Sequence, residues 1–279
     1  MIVASQTEPD QAEAHQRRRA LSESSPATAT ATEGLVIDAA GLCHRDLNQR
    51  VRAALDNGTR AMRLVNVCGQ RYLGAGLRGD VRLEIEGVPG NDLACFMDGP
   101  TIIVRGDAQD GVANTMNQGK VVIHGYAGDV LGYGMRGGQL FVRGNVGYRV
   151  GIHMKEYKRQ VPVIIAGGTA GDFFGEYMAG GILVLLGLER QQGAPLVGDH
   201  CGTGMHGGVI YLRGELPNSN VAREQVDVSP TGEDDLRLLR PHLEVFCAEF
   251  GLSFEQVLTE PYWRLKPVSH RPYGSKYAV

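Results

Sequence analysis

The chain has 279 residues, 43% of them hydrophobic, which is enough to bury the core of one large domain or two small ones. Its 28 basic and 31 acidic residues give a formal net charge of -3, and this balance argues against nucleic acid and membrane surfaces as partners. Five widely spaced cysteines predict neither a disulfide framework nor a metal site, and no stretch predicts a signal peptide or a membrane helix, so we expect a cytoplasmic protein.

The first predicted segments are a flexible leader and an N-terminal cap. Residues 1–33 are rich in Glu, Gln, Ser, Ala and Thr, with few large apolar side chains, which is typical of a flexible segment. In the predicted cap, residues 34–64, the apolar run Leu35–Asp38 predicts a strand. Residues 45–55 carry apolar side chains at helical spacing and are followed by Asn57 and Gly58, so they predict a helix with a glycine stop.

Residues 65–214 consist of repeats. The unit is G-x-x-x-G-x-x-M-x-G-G followed by a short strand and a closing glycine, and its clearest copies begin at Gly128, Gly171 and Gly198. Where nothing is inserted, closing glycines recur every 19 residues, as from Gly125 to Gly144. Weaker copies align through Leu77, Phe96, Met116 and Met154. The predicted strands, with apolar residues at every second position, are residues 81–85, 101–105, 120–124, 139–143, 161–166, 182–186 and 209–213.

A unit this short cannot bury its own apolar face, but stacked copies bury a continuous core. The repeats therefore predict an all-β fold: a right-handed parallel β-helix, or single-stranded solenoid, of about seven glycine-cornered coils. Glycine suits the corners because the chain turns tightly there, often with positive φ, and because adjacent coils approach to about 4.8 Å. The repeated Met, Leu or Phe is interpreted as an inward residue that stacks on its equivalents above and below.

The repeats stop at residue 214, and residues 215–279 predict a C-terminal helical extension and tail. Residues 234–250 carry a stripe of Leu and Phe at helical spacing and are followed by Gly251, a predicted C-terminal stop. Ser253 is predicted to cap a second short helix, residues 254–258. We expect the two helices to cover the open end of the solenoid. The remaining tail, residues 263–279, is suited to lie across a partner.

Several motifs resemble chemical sites but are better explained by architecture. The pattern G-x-G-x-x-G occurs three times, beginning at Gly74, Gly132 and Gly202, yet each copy leads into a predicted strand rather than the helix that a dinucleotide loop requires. His200 or His206 with Cys201 lacks a further ligand at metal-site spacing. The remaining candidates are two more histidines, His124 and His153, and four corner aspartates whose side chains we expect to bond nearby backbone N–H groups: Asp107, Asp110, Asp129 and Asp172.

The residues thus predict no catalytic, cofactor-binding or metal-binding site in this chain. Two stretches escape the repeat, residues 152–159 and 189–195. An insertion in a solenoid emerges as a loop on one face, often the binding face, so each stretch is either a partner contact or an inert loop.

The glycine-rich runs at residues 125–138 and 171–181 resemble the GXGXG domain family over roughly residues 35–214. This family includes the C-terminal β-helix domain of the glutamate synthase large (alpha) subunit. The domain is also similar to the C subunit of formylmethanofuran dehydrogenase, to its relative in the formyltransferase/hydrolase complex and to a subunit of N-methylglutamate synthase. The resemblance implies a β-helix that organises neighbouring subunits while other chains hold the chemistry.

Two functions follow from the resemblance. The first is a non-catalytic scaffold subunit of a glutamate synthase-like complex, whose partners are a glutamine amidotransferase and a synthase subunit that holds FMN and iron–sulfur clusters. Such a complex makes glutamate or a glutamate derivative. The alternative is the β-helix subunit of a formylmethanofuran dehydrogenase or formyltransferase/hydrolase complex of one-carbon metabolism. A third hypothesis, an independent enzyme on the solenoid surface, requires a pocket with converging polar groups, which the sequence does not predict.

Overall fold

The structure is a computed structural model and describes residues 34–191, 193–216 and 220–270. Nine successive strands of this part of the chain pair in parallel, each with the next, and confirm the predicted parallel β-solenoid. The predicted leader, residues 1–33, lies outside the described residues. The nine strands are β1 (Leu35–Asp38), β2 (Ala61–Cys68), β3 (Arg82–Val88), β4 (Asp98–Val104), β5 (Gln118–Ile123), β6 (Gln139–Val142), β7 (Val163–Ala166), β8 (Ala179–Leu185) and β9 (Gly207–Arg213).

Each coil closes through a second, shorter row of parallel contacts opposite the sheet. Single bridges connect Ala108 to Ala127, Ala127 to Val146, and onward through Ala170 to Val197. The interior between the two rows is filled by apolar side chains. The repeated methionines confirm the predicted inward stack, since all six are fully buried: Met97, Met116, Met135, Met154, Met178 and Met205.

The prediction that Phe96 belongs to the inward stack is wrong by one position. Phe96 is 57% exposed and has a left-handed backbone, with φ of 57°, whereas its neighbour Met97 is fully buried. The backbone carbonyl of Met97 accepts the N–H of Asn117 in the next coil, so Met97 lies in register with Met116. The alternation of side chains along the coil therefore places Phe96 on the outside.

The N-terminal cap matches its prediction. The strand β1 has the predicted bounds, and helix α1 (His44–Asp56) covers the predicted residues 45–55 before Gly58, which has φ of 90°. Strand β2, which the sequence did not predict, joins β1 to the sheet. The buried Gln70 side chain fixes the cap, because its amide donates to the carbonyls of Ala39 and Leu42.

The C-terminal extension also folds into the predicted helices, α2 (Glu233–Phe250) and α3 (Phe254–Val257). Gly251 ends α2 with φ of 63°, and the Ser253 hydroxyl caps α3 by accepting from the Gln256 N–H. Their predicted position is wrong. Instead of covering the open end, α2 packs on the outer face of the sheet, where the Phe246 ring meets the Phe141 ring edge-on at 5.8 Å between ring centres.

A change in the outward-facing residues of the sheet explains this position. Residues that pair with one another from strand to strand form an outward-facing central column. In β3 its member is Glu84, and polar outward residues alternate with apolar inward residues along this strand. From β4 onward the same column is apolar and buried beneath α2 and the elements around it, so both faces of these strands avoid water. In strand order the column runs Glu84, Ile103, Val122, Phe141, Ile165, Val184 and Tyr211.

The end of the sheet is closed by two antiparallel strands. Strand β11 (Tyr262–Pro267) pairs with β9, and β10 (Val226–Pro230) pairs with β11. The first part of the predicted partner-binding tail, residues 263–267, is therefore part of the sheet, which corrects that prediction. Residues 271–279 of the tail lie outside the described part of the chain.

A buried polar cluster holds α2 to the last strands. The Tyr211 hydroxyl donates to Asp235 at 2.9 Å, and the Arg264 guanidinium donates to the same carboxylate at 3.2 Å. Burial acts to raise the pKa of Asp235, but hydrogen bonds from the Gly232 N–H and Tyr211, with the charge of Arg264, outweigh it and hold that pKa below its usual value. Ionised Asp235 thus stabilises the packing of α2. No helix within the described ranges is long and apolar enough to cross a membrane.

Candidate functional site on the solenoid surface

A segment of unusual backbone recurs in the coils, just before the buried methionine. Three alternate residues of the segment have positive φ, as at Arg149, Gly151 and His153. The middle residue faces the core and is buried, while the first and third project from the surface. Stacking of the coils therefore produces two outward columns, a first column and a third column, along the same side of the solenoid.

The residues in the two columns contact one another across the coils. In the first column the Arg149 guanidinium lies 4.7 Å from the centre of the Phe173 ring, which stacks on His200 at 5.0 Å. In the third column His153 stacks on Tyr177, with 5.3 Å between ring centres and 10° between ring planes.

Two further side chains join the columns. Tyr133, which is 41% exposed, meets His153 edge-on at 5.7 Å between ring centres. The buried carboxylate of Glu176 accepts from Arg149 Nε at 3.0 Å and so holds the guanidinium over the Phe173 ring. We call this surface the aromatic face and define it as Tyr133, Arg149, His153, Phe173, Tyr177 and His200.

A basic hairpin borders the aromatic face. It comprises residues 155–160 and overlaps the stretch 152–159 that the sequence analysis singled out, and backbone hydrogen bonds between Tyr157 and Gln160 close it. The Glu156 carboxylate accepts the Gly181 N–H of the next coil at 3.0 Å, which attaches the base of the hairpin close to Tyr177 in the chain. Lys158 lies 5.2 Å from the centre of the Tyr157 ring. The other insertion is joined to the sheet by an ion pair between Glu189 and Arg143 at 2.7 Å.

The corner aspartates form hydrogen bonds from coil to coil. Each carboxylate accepts a backbone N–H at 2.8 to 2.9 Å, as predicted, but the donor lies in the following coil rather than in the turn of the aspartate itself. Such bonds satisfy backbone donors where the strand pairing is interrupted. The pairs run from Asp107 to Tyr126, Asp110 to Asp129, Asp129 to Tyr148 and Asp172 to Asp199.

The structure does not bring the histidine and cysteine candidates together. Cys201 is fully buried, and burial raises the pKa of its thiol to about 12, while His200 beside it projects outward onto Phe173. His206 Nδ1 contacts the Gly204 carbonyl at 2.9 Å, and His124 lies between Arg105 and Phe250. In the part of the chain that the structure describes, no group of three or more His, Cys, Asp or Glu side chains is placed to hold a metal ion.

The three G-x-G-x-x-G segments lead into strands β3, β6 and β9, as the structural interpretation predicts. An open cavity of about 480 Å³ lies between α1 and residues 76–81. Its arginines connect the cap to nearby backbone: Arg52 donates to the Ala75 carbonyl and Arg60 to the Leu55 carbonyl at the end of α1.

The sequence analysis did not find the aromatic face, although a signal for it was present. Glycine stands at the third-column position in three coils, as Gly76, Gly134 and Gly204. The other coils have Phe96, Thr115, His153 and Tyr177 there, and the last two stack in adjacent coils. A large side chain in place of glycine, in a conformation that favours glycine, indicates a role beyond folding.

Comparison with known proteins gives one family, two relatives by sequence and one solved structure of similar fold. The family described as GXGXG motif matches residues 34–267. An uncharacterized protein of Methanocaldococcus jannaschii is 46% identical over 253 residues, which are 88% of this chain and 97% of that protein. A ferredoxin-dependent glutamate synthase of Synechocystis is 31% identical over 240 residues, which are 76% of this chain but 15% of that enzyme.

The solved structure is a chain of the formyltransferase/hydrolase complex of Methylorubrum extorquens with methylofuran. It superposes with a TM-score of 0.57 at 20% identity, over 85% of this chain and 92% of the other. At this identity the likeness establishes the fold alone.

Proposed function

The chain belongs to the GXGXG family, and on that premise we propose that it is the non-catalytic scaffold subunit of a glutamate synthase-like complex. The observation that carries the proposal is the 31% identity to a ferredoxin-dependent glutamate synthase, of which the chain matches 15%. The remainder of such an enzyme lies outside this sequence, and in the proposed complex partner subunits supply it.

The proposed partners are a glutamine amidotransferase and a synthase subunit that binds FMN and iron–sulfur clusters. In this arrangement ammonia released from glutamine by one subunit is used by the other, and the product is glutamate or a glutamate derivative. The proposal places the complex in the nitrogen metabolism of the cytoplasm. The cofactors belong to the partners, and the role of this chain is to hold two active sites at a fixed separation.

The side chains of the solenoid support a structural role. The corner aspartates, which were candidates for acid–base chemistry, accept backbone N–H groups of the following coil. The thiol of Cys201 is buried and its pKa is raised to about 12, so it stays protonated at neutral pH and does not serve as a thiolate nucleophile there. A frame whose strands are hydrogen-bonded into one sheet keeps bound subunits at constant distance.

Native affinity purification from the source cells tests the proposal, with the co-purifying chains identified by mass spectrometry and the eluate scanned for flavin absorbance. A yellow eluate containing an amidotransferase and a flavoprotein is the expected result. A colourless eluate with formyltransferase or hydrolase chains would replace the proposal with the one-carbon alternative, to which the superposed structure belongs. A protein that elutes alone, as a monomer, would contradict the scaffold role.

A further inference from the structure

We propose that the aromatic face, together with the basic hairpin, is the docking surface for an acidic segment of a partner polypeptide. This inference rests on the proposed scaffold role, because it identifies the surface by which the scaffold would hold a partner. Three observations carry it: the backbone conformation of the face, the rings and cations that it exposes, and the distribution of charge around it.

The backbone conformation of the face does not by itself require large side chains. Five residues of the face have φ between 51° and 63°: Arg149, His153, Phe173, Tyr177 and His200. A residue other than glycine is strained in this region, and an aromatic contact offsets the strain only in part. Other coils have glycine at some of these positions, as at Gly111 and Gly134, and a different residue at others, as at Val130, so the backbone conformation does not dictate the rings found in these adjacent coils.

The exposed groups are those that favour protein interfaces. Tyr133, Arg149, His153 and His200 are exposed, and contacts across adjacent coils hold them in place. Tyrosine and arginine are enriched among the residues that dominate binding energy, and side chains ordered before binding lose little conformational entropy. The face is therefore preorganised for contact.

The charges identify the chemistry of the partner. Lys155, Lys158 and Arg159 of the hairpin are exposed, and no carboxylate in the described part of the chain forms an ion pair with them. The one carboxylate of the hairpin, Glu156, accepts the Gly181 N–H instead. Three cations beside a row of rings complement aspartate or glutamate side chains of a partner.

The other border of the face argues for a polypeptide rather than a nucleic acid. Carboxylates lie along this border. They belong to Asp129, Asp172 and Asp199, each of which directly precedes a first-column residue in the sequence. A nucleic acid carries a negative charge at every phosphate and would meet this row unfavourably. A peptide segment can carry its acidic residues toward the hairpin alone and place neutral residues against the aspartates.

The test uses the full chain and a labelled peptide of alternating aspartate and serine, with binding measured by fluorescence anisotropy. Two variants remove the surface: His153→Gly with Tyr177→Gly, and Lys155→Ser with Lys158→Ser and Arg159→Ser. Glycine is unstrained at both positions of the first variant, so it should melt close to wild type. The matched control removes two exposed cations elsewhere, Arg237→Ser with Arg240→Ser on α2.

We expect the wild type and the α2 control to bind the acidic peptide, more weakly as salt rises, and each surface variant to bind it about tenfold less tightly. Equal binding by all proteins, no binding by the wild type, or tighter binding of a labelled oligo-dT than of the peptide would overturn the inference.

The same variants separate this inference from the proposed function. If native purification recovers the same partners with the wild type and with both surface variants, the scaffold role stands and the docking surface is wrong. If the wild type recovers no partner, the scaffold role fails, and the peptide measurement decides on the surface alone.

Discussion

Gly137 lies where two coils of the solenoid approach closely. A Cβ atom added there would lie 2.3 Å from the Asn117 carbonyl oxygen of the preceding coil and 2.9 Å from Cβ of Gln160. The backbone of Gly137 does not have positive φ, so the expected effect of Gly137→Ala arises from lack of space alone. Since comfortable contacts are about 3.5 Å, the coils must separate locally by about 1 Å.

Overpacking of this kind costs about 1–3 kcal/mol, and we expect the upper end because the obstacle is backbone rather than a flexible side chain. For an ordered region of this size, each kcal/mol lowers the melting temperature by about 2–4 °C, so Gly137→Ala should melt roughly 6–12 °C below the wild type. Gly137→Val adds two methyl groups at the same point and should prevent the solenoid from folding.

The assay is thermal and urea unfolding, followed by far-UV circular dichroism and by fluorescence of Trp263, the one tryptophan of the sequence. Trp263 lies in β11 and its Nε1 donates to the Gly214 carbonyl, so it reports on the end of the sheet distant from Gly137. Coincident transitions would show that the coils unfold together, whereas separate transitions would show that the damage stays local.

The control is Gly232→Ser. Nothing lies within 4 Å of a Cβ added at Gly232, its φ is -99°, and it occupies the N-cap of α2, where serine is favoured. This variant should melt at or above the wild-type temperature. A Gly137→Ala variant that melts with the wild type, while the control behaves as expected, would refute the argument that coil spacing demands glycine.

Three further predictions concern single side chains. Met97→Ala should lower the free energy of unfolding by about 2–5 kcal/mol in urea titrations because it opens a cavity, whereas Phe96→Ala should change it by less than about 1 kcal/mol; similar losses would contradict the assigned register. The folded protein lowers the pKa of Asp235, so the wild type has extra stability above about pH 4, the pKa in the unfolded chain, and loses it as pH falls through the lower folded pKa. Asp235→Asn should lack this extra stability, so the melting temperatures of the two proteins should converge in acid. A difference in melting temperature that stays constant with pH would exclude the ionised cluster. Asp129→Ala should cost about 0.5–1.5 kcal/mol and speed hydrogen exchange at the Tyr148 amide, and unchanged exchange would show that the bond is not maintained in solution.

The sequence predicted the solenoid and the caps of its helices because both depend on local patterns. Glycine spacing and the buried methionines report a coil that repeats, and Gly251 and Ser253 report helix ends. The misplacement of Phe96 arose because two apolar neighbours, Phe96 and Met97, compete for one inward position. Only the strand register, which is a contact between coils, decides between them.

The position of α2 depends on information spread over seven strands. In each strand alone, an apolar residue such as Ile103 or Val184 is compatible with an inward position, and single-strand patterns do not distinguish the two faces of a strand buried on both sides. Only when the strands are aligned does the change from Glu84 to an apolar column mark a face that another element must cover.

The positions of the repeat do not all serve the same purpose. The coil itself determines the inward methionines and the crowded glycines. A side chain of different size at a methionine, or any side chain at a crowded glycine, alters packing against the neighbouring coils. The first and third columns are different, since their side chains leave the coil and the backbone there accepts Gly134 as well as Tyr177. The coil itself does not determine which residue stands at those positions, and on our proposal the aromatic residues there are explained by what the solenoid binds. On that proposal, the interior of the repeat maintains the fold and one outer face selects the partner.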